Sequence, residues 1–470
     1  MSTFTRNSIA YRKDGTLINA NFPRFEAGRF DQAMMVEEGT TNLLTANQAN
    51  IETDITGFAA LNSVLTRDLS QFWSGTSSLR ITTNNSTLNE GVRTTDIPVN
   101  VSANQTVSVW IRGTGNHLLQ LHELTATSVL IGITQVGVMA TSNWTRHTVT
   151  RLFGSTGVIA RIQVIRIQQD VSLGSPAALF PTSIIYNLDG LQLEQRPYAT
   201  SWQLGGTPRA AETVTIPTAG VLSPTEGTIE FWTRPNHAST VVAADGLGFH
   251  HLAWISGTTG FALRRVLGAI VVVSIRTAGD LLITHNMTWT AGQDIYLAVR
   301  WTATDVSLFV DGVLRGTAVK FDNPSSIPLE FGWRTGHTPS NALHDDLRIS
   351  NRARTDQEIA DAFASGQPLQ LDASTTALHN FNNLITSQVF HHAGNTPAMV
   401  VPRAVVNPGL VYVGLTVVET VAASELRQAQ NITGLTTISV IAKSLFRRTI
   451  NIKSPTHAVI KDSRTRVVLK

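Results

Sequence analysis

A chain of 470 residues is long enough for two to four domains of roughly 100–200 residues each and too long for a single core. Its formal net charge of +3 is small for that length, so no global field draws nucleic acid or an acidic membrane to it. Zero cysteines remove disulfides, thiolate metal sites and cysteine nucleophiles together. Charged residues at 15% against 42% hydrophobic, with 34 glycines, give the profile of short strands joined by polar turns. The first residues hold no apolar leader, and no run approaches the roughly 18 apolar residues of a membrane span, so synthesis in the cytoplasm without membrane insertion is expected.

In chain order, residues 1–45 are short of apolar runs and carry two distinctive pieces, Asn21-Phe22-Pro23-Arg24-Phe25-Glu26 and Val36-Glu37-Glu38-Gly39-Thr40-Thr41-Asn42-Leu43-Leu44. Their pairing resembles the opening of many bacteriophage tail and minor structural proteins. It implies an N-terminal arm that becomes ordered against a neighbour, since such an arm must gain contacts to offset its ordering entropy. Residues 46–200 then alternate apolar and polar over 78–83, 106–112, 118–124, 147–152, 161–168 and 183–193, spaced by Gly, Asn and Pro turns. That spacing predicts an antiparallel sandwich rather than βαβ units. The order Trp73 to Ile81, Val107 to Arg112, Asn143 to Val149 and Tyr186 to Glu194 resembles jelly-roll carbohydrate-binding modules. The junction from Leu193 through Ala199-Thr200-Ser201 to Thr207-Pro208-Arg209-Ala210-Ala211 is similar to the segment that ends such modules in phage tail proteins, and 201–209 reads as a linker.

Residues 210–370 end in the most legible stretch of the chain. Alternation places Leu343, Asp345, Leu347 and Ile349 on one strand face and His344, Asp346, Arg348 and Ser350 on the other. Thr355-Asp356-Gln357-Glu358 is a capping box that starts a short helix, Ile359, Ala360 and Phe363 form its apolar stripe with Phe363 as anchor, and Gly366 with Pro368 ends it. A helix this short is marginal in water and must dock on a sheet. Asp345 through Ile359 resembles the closing strand and helix of laminin-G-like, concanavalin A-like jelly rolls. Gly227 to Pro235 is similar to an early strand of that family, and Leu297 to Trp301 with Val306 to Gly312 to its central hairpin. Residues 371–404 form a connector without periodicity. Residues 405–470 return to strands at 410–418, 436–442, 449–452 and 457–461. From Ile441 onward eight Lys or Arg face the single Asp462, which reads as a small β segment with a basic, solvated face. No aromatic interleaving or known motif accompanies that charge, so nucleic acid is not expected as a partner.

Concanavalin A-like jelly rolls include glycosidases, which need two carboxylates, one to donate a proton and one to attack or to activate water. Glu226, Glu230 and Glu330 lack carboxylate companions at alternating positions. Asp345 and Asp346 are adjacent, so a strand turns one toward a turn and the other toward solvent. No nucleophile elbow, phosphate loop or dinucleotide fingerprint occurs. The chain therefore reads as a non-enzyme with no required cofactor, although carboxylate and backbone oxygens leave a calcium role open. The pairs His250-His251 and His391-His392 have no histidine at i+4 and no carboxylate at metal-site spacing. They are expected on a surface or interface, and no metal site is assigned. Trp110 and Trp232 sit beside Val and Phe within strands and are expected in cores. Trp73, Trp144, Trp254 and Trp333 lie near polar or Gly-containing turns. With His122 they are the candidate glycan platform, because a flat indole matches the apolar C–H face of a sugar and a polar neighbour matches its hydroxyls.

The expected fold class is all-β, with tandem antiparallel β-sandwiches of the jelly-roll type and one short capped helix near 355–365. The resemblances imply an elongated, homo-oligomeric structural protein of a bacteriophage tail or fibre, located in the virion. Its partners would be other virion proteins and a host cell-surface glycan. The rival readings are a polysaccharide-degrading enzyme of concanavalin A-like fold and a secreted cellular adhesin.

Overall fold

A computed structural model of the protein describes residues 2–84, 89–167, 183–243, 245–324, 327–379 and 381, together with the backbone of eight strands between 398 and 469. Among the described residues the chain is nearly all-β, with two short helices.

The first sandwich sets a six-stranded antiparallel sheet against a five-stranded one. The six-stranded sheet runs in the order Leu130–Met139, Asn116–Leu124, Ile159–Arg166, Gly91–Thr94, Phe58–Leu61, and Ile97–Pro98 also pairs with Ile159–Arg166. The five-stranded sheet runs Thr145–Leu152, Asn104–Gly113, Ile185–Glu194, Ser78–Thr83, Ser63–Asp68. Alternate residues of each strand meet in one core that includes Leu79, Val107, Ile111, Leu119, Leu121, Ile162, Val164, Tyr186 and Leu193. A second capping box, Thr45 with Gln48, starts the helix Ala46–Asn50, so the described residues hold two capped helices where one was expected. Thr45-Ala46-Asn47-Gln48 is the same capping-box pattern as at the other helix, with glutamine in place of glutamate, and could have been found by it.

The second sandwich has a seven-stranded sheet in the order Thr3–Thr5, Thr213–Ile216, Leu329–Phe331, Phe249–Ser256, Thr259–Val266, Ala269–Ile275, Leu281–Asn286. Its facing sheet runs Val313–Val319, Asp305–Val310, Ile295–Trp301, Gly227–Pro235, Ala342–Ser350, Gln32–Val36, Arg24–Ala27, with Thr375–His379 also paired to Ala342–Ser350. Residues 1–45 are therefore not an arm reaching for a neighbour. Thr3–Thr5 joins one sheet of this sandwich, Arg24–Ala27 and Gln32–Val36 join the other, and Met34 and Val36 enter its core beside Phe231, Phe331 and Leu347. Ordering entropy is offset inside the same chain.

The segment 201–209 is likewise packed rather than free. Pro208–Arg209 pairs with Thr40–Thr41, while Trp202, Gln203 and Arg209 are buried. Around it lies a buried charge network. Arg24 donates to Glu37 at 2.8 Å and to Glu212 at 2.7 Å, Arg6 reaches Glu212 at 2.7 Å, and Arg209 reaches Glu37 at 2.6 Å. Asn42 donates to the carbonyls of Leu191 and Gln203, and Thr40 to Glu194. Two stretches far apart in sequence thus form one clasp between the sandwiches.

The closing strand Ala342–Ser350 departs from strict alternation. Its register against Gly227–Pro235 slips between Glu230 and Trp232, and Asp346 takes φ 53°. This bulge inverts the parity of the strand. Before it His344 faces the core, near Phe231 and Phe331, while Leu343 packs outside on Ala33 and Met35; after it Leu347 and Ile349 face the core. Neither aspartate faces solvent, because Asp345 is 3% exposed and Asp346 1%. Asp345 accepts the N–H groups of Arg29 and Phe30 at 3.0 Å each, and Asp346 accepts that of Leu369, so each pins a separate segment to the sheet.

The helix Asp356–Ala364 carries the expected capping box, Thr355 with Glu358. Its anchor is Ile359, fully buried with Trp232, Tyr296 and Phe309. Phe363, the expected anchor, is only half-buried and stacks on Trp232 at 5.7 Å.

At the C-terminus, eight strands form two four-stranded sheets, visited alternately by the chain. These are parallel, unlike the sandwiches. Tyr412 pairs with Ile432, Val417 with Thr437, Asn431 with Asn451 and Ile438 with Ala458, each a step of 20 residues, so every turn of the chain lays one strand on each sheet. The expected basic face falls on side chains outside the described residues, as does the pair His391-His392.

Candidate functional site

The outer face of the six-stranded sheet in the first sandwich carries the most coherent polar surface. Leu119 and Leu121 point into the core, which sends Gln120 and His122 to the opposite face. In register, Gln135, Gln120 and Gln163 lie side by side on three neighbouring strands, and Arg93 continues the row on a fourth. The adjoining row is Ile133, His122 and Arg161. Gln120 Nε2 donates to Gln135 Oε1 at 2.7 Å, and the His122 ring hydrogen-bonds Gln120 Oε1 at 3.0 Å. Arg161 Nε donates to Asp96 Oδ1 at 2.7 Å, whose other oxygen accepts Ser128 Oγ at 2.5 Å. Burial first, then the nearby Arg161 charge, pushes the His122 imidazole down to about 4, so it is neutral near pH 7.

The face is rich in hydrogen-bonding groups, and among the described residues its rows carry amide, imidazole and guanidinium groups but no carboxylate. Gln135, Gln163, Arg93 and Arg161 offer amide and guanidinium groups at the roughly 4.7–4.9 Å strand spacing, while Gln120 and His122, each 8% exposed, lie between them and are tied to each other by a hydrogen bond. Ile133, 41% exposed, gives an apolar flank. Asp96, the acid that Arg161 holds, is also bonded to Ser128. In the second sandwich Glu230 is fully buried and bonded to Arg348 at 2.9 Å and to the Tyr296 hydroxyl at 2.5 Å, which makes it a structural acid.

Of the residues singled out in sequence, only His122 lies on this face. Trp73 is half-buried and stacked on Trp110 at 4.7 Å with an interplanar angle of 13°, edge-on to Trp202. Trp144, half-buried before the strand Thr145–Leu152, has its indole Nε1 buried with no hydrogen-bond partner. Trp333 is half-buried in the second sandwich and donates Nε1 to the Val214 carbonyl at 2.7 Å. Trp254 is not exposed at all. It is 3% accessible and packs in the second core against Phe261, Trp301 and Phe321, because the turn after its strand begins only at Gly257. Trp110 and Trp232 are buried, as expected. The histidines His250 and His251 are both fully buried rather than on a surface.

Sequence reasoning passed over Gln120, Gln135, Arg161 and Gln163. The signal was present as i, i+2 pairs of polar residues within apolar strands, 120 with 122 and 161 with 163. Recognising one site required the register that brings those pairs together.

Residues 208–360 match the family Laminin_G_3, described as the Concanavalin A-like lectin/glucanases superfamily. No curated protein matches the chain. Among solved structures, the chain is similar to a CBM22-1 xylan-binding domain from Paenibacillus barcinonensis, at 12% identity over 36% of this chain and 99% of that one, with a TM-score of 0.26. It is similar to domain 4 of AbnA, an extracellular arabinanase from Geobacillus stearothermophilus, at 17% identity over 35% of this chain and 80% of that one, with a TM-score of 0.28. It is also similar to the botulinum neurotoxin serotype G binding domain, at 14% identity over 33% of this chain and 40% of that one, with a TM-score of 0.27.

Proposed function

We propose that this protein is a glycan-binding structural protein of a bacteriophage tail or fibre, without catalytic turnover, that offers the outer face of its first sandwich to a host cell-surface glycan. The observation that carries the binding is the two-row polar surface of Gln135, Gln120, Gln163 and Arg93 beside His122 and Arg161. The match of residues 208–360 to a superfamily of lectins and glucanases is consistent with a carbohydrate ligand. The virion assignment is supported by the two stretches that resemble phage tail proteins, which meet in the clasp around Thr40–Thr41 and Pro208–Arg209. Other virion proteins and further copies of this chain are the partners in this reading. The strand Leu130–Met139 suits a second copy, being a sheet edge without a charged residue and with Leu130, Ile131, Ile133, Val136 and Met139 exposed. Among the described residues no free acid pair favours the enzyme reading, and the adhesin reading has no observation of its own.

The test is binding of the full chain to host cell walls and to an array of polysaccharides. Gln135→Ala and Gln163→Ala are each expected to weaken binding about 5- to 10-fold, the loss of one or two hydrogen bonds, with no change in melting temperature. Assembled oligomer is expected to bind roughly 10²–10⁴ times more tightly than monomer. Binding unaltered by both substitutions removes this face as the site. Steady release of reducing sugar, abolished by changing one Asp or Glu, overturns the non-enzyme reading.

A further inference from the structure

Three residues from two distant parts of the second sandwich converge without any sequence spacing that announces them. Asp245, His250 and His337 place one potential ligand atom each within 4.8 Å of one another. The loop before the strand Phe249–Ser256 supplies Asp245, the strand itself supplies His250, and the turn after Leu329–Phe331 supplies His337. Backbone pairing holds the two segments together, with His250 N–H donating to the Thr338 carbonyl at 3.1 Å and His250 bridged to Pro339, while His337 N–H closes its own turn on the Arg334 carbonyl at 3.0 Å. The carboxylate is already aimed. Asp245 Oδ2 accepts the Thr338 N–H at 3.1 Å and lies 3.2 Å from His337 Nδ1, while Oδ1 accepts the Leu247 N–H at 2.9 Å.

His250 is the observation that points beyond packing. It is fully buried, and both of its ring nitrogens are buried without a hydrogen-bond partner. A buried polar nitrogen left unpaired costs about 1–3 kcal/mol, and an imidazole with two such atoms needs a reason. Its ring lies 4.8 Å from that of His337, with the Asp245 carboxylate beside them. We propose that Asp245, His250 and His337 bind a divalent transition-metal ion of the zinc type. Two imidazoles and a carboxylate are the donors such an ion takes, whereas calcium takes oxygen ligands alone.

Zinc–ligand bonds of about 2.0–2.2 Å place tetrahedral ligand atoms about 3.3 Å apart. From a spread of 4.8 Å, side-chain adjustments of about an ångström complete the set. The side chains of His337 and Asp245 are 18% and 21% exposed, so the fourth position opens toward solvent. Arg264 and Arg334 bear electrostatically on both His250 and Asp245. They oppose a bare dication and favour an anion as its fourth ligand.

The test is calorimetric titration of chelator-treated full chain with zinc chloride and, separately, calcium chloride, with the melting temperature read alongside. One zinc is expected to bind and to raise the melting temperature. His337→Ala and Asp245→Asn, both at accessible positions, are each expected to lower zinc affinity at least 10-fold, the loss that even an outer partner of a metal ligand produces. Both are expected to abolish the thermal shift without changing the far-ultraviolet circular dichroism. Zinc binding that survives in both variants, a site that prefers calcium, or no zinc-dependent shift in the unaltered chain overturns the proposal.

Discussion

Gly190 shows how closely single residues are fixed in the first sandwich. It adopts φ +57°, and a Cβ there would lie 2.7 Å from Trp110 Cδ1 and 2.7 Å from Trp73 Cε3. The stacked indoles and the left-handed backbone therefore require glycine at one point. Asp189 beside it accepts the N–H groups of Trp73 and Ser74 at 2.8 and 3.0 Å, which fixes the loop that carries Trp73. Gly190→Ala is expected to separate the two rings, weaken their near-ultraviolet circular dichroism and destabilise the sandwich by about 1–3 kcal/mol. Unchanged ring signals would mean that the stack does not depend on this approach. Trp254 is a contrasting case. Trp254→Ala empties part of the second core and is expected to cost about 3–5 kcal/mol, read as an early melting transition, with glycan binding by the first sandwich retained.

At the scale of elements, the docked helix Asp356–Ala364 divides its stability between a cap and an anchor. Thr355→Ala removes the hydroxyl that accepts the Glu358 N–H and is expected to cost about 1 kcal/mol. Ile359→Ala is expected to cost about 2–5 kcal/mol, and Phe363→Ala less than Ile359→Ala because Phe363 is only partly buried whereas Ile359 is fully buried. A larger loss at Phe363 in urea unfolding would restore it as the anchor. What was legible in sequence follows the same division. Capping and alternation are local, so the helix start and most strands of both sandwiches could be read from neighbouring residues. The bulge at Asp346 could not, because a strand's parity is inverted by one residue whose side chain is typical of turns and strand ends alike. The edge strand Leu130–Met139 was missed because it carries apolar residues on both faces and shows no clear alternation. The two-row surface around His122 was legible only one residue at a time, since its members come from separate strands aligned by register. The Asp245, His250, His337 cluster was hidden for the same reason, with its third member 87 positions beyond the second in the numbering.

At the scale of the whole molecule, the clasp decides how the two sandwiches respond to acid. Glu37 is buried between Arg24 and Arg209, accepting from them at 2.8 and 2.6 Å. Burial alone would raise its carboxyl, but the two guanidiniums outweigh that and hold it at about 2, against an ordinary value of 4.5. A carboxyl depressed by folding stabilises the folded state fully above its unfolded value, and that contribution is lost as pH falls through the folded one. The window is therefore from about 4.5 down to about 2. Asp189 and Asp346 act with the opposite sign. Burial pushes both up to about 7, so they cost stability as pH rises through the range in which the unfolded chain has already ionised them, and acid relieves that cost. Total stability against pH mixes these terms, and a substitution separates them. Glu37→Gln leaves Arg24 and Arg209 facing a neutral group and is expected to cost about 3–5 kcal/mol at pH 7, the range for breaking a buried ion pair. Protonated Glu37 has nearly the same shape and charge as Gln, so the gap between the two proteins should close as pH falls from about 4.5 toward about 2. Urea unfolding of both at pH 7, 5, 4 and 3 measures it. A gap that stays constant across that series would mean that Glu37 is not the group through which acid loosens the clasp.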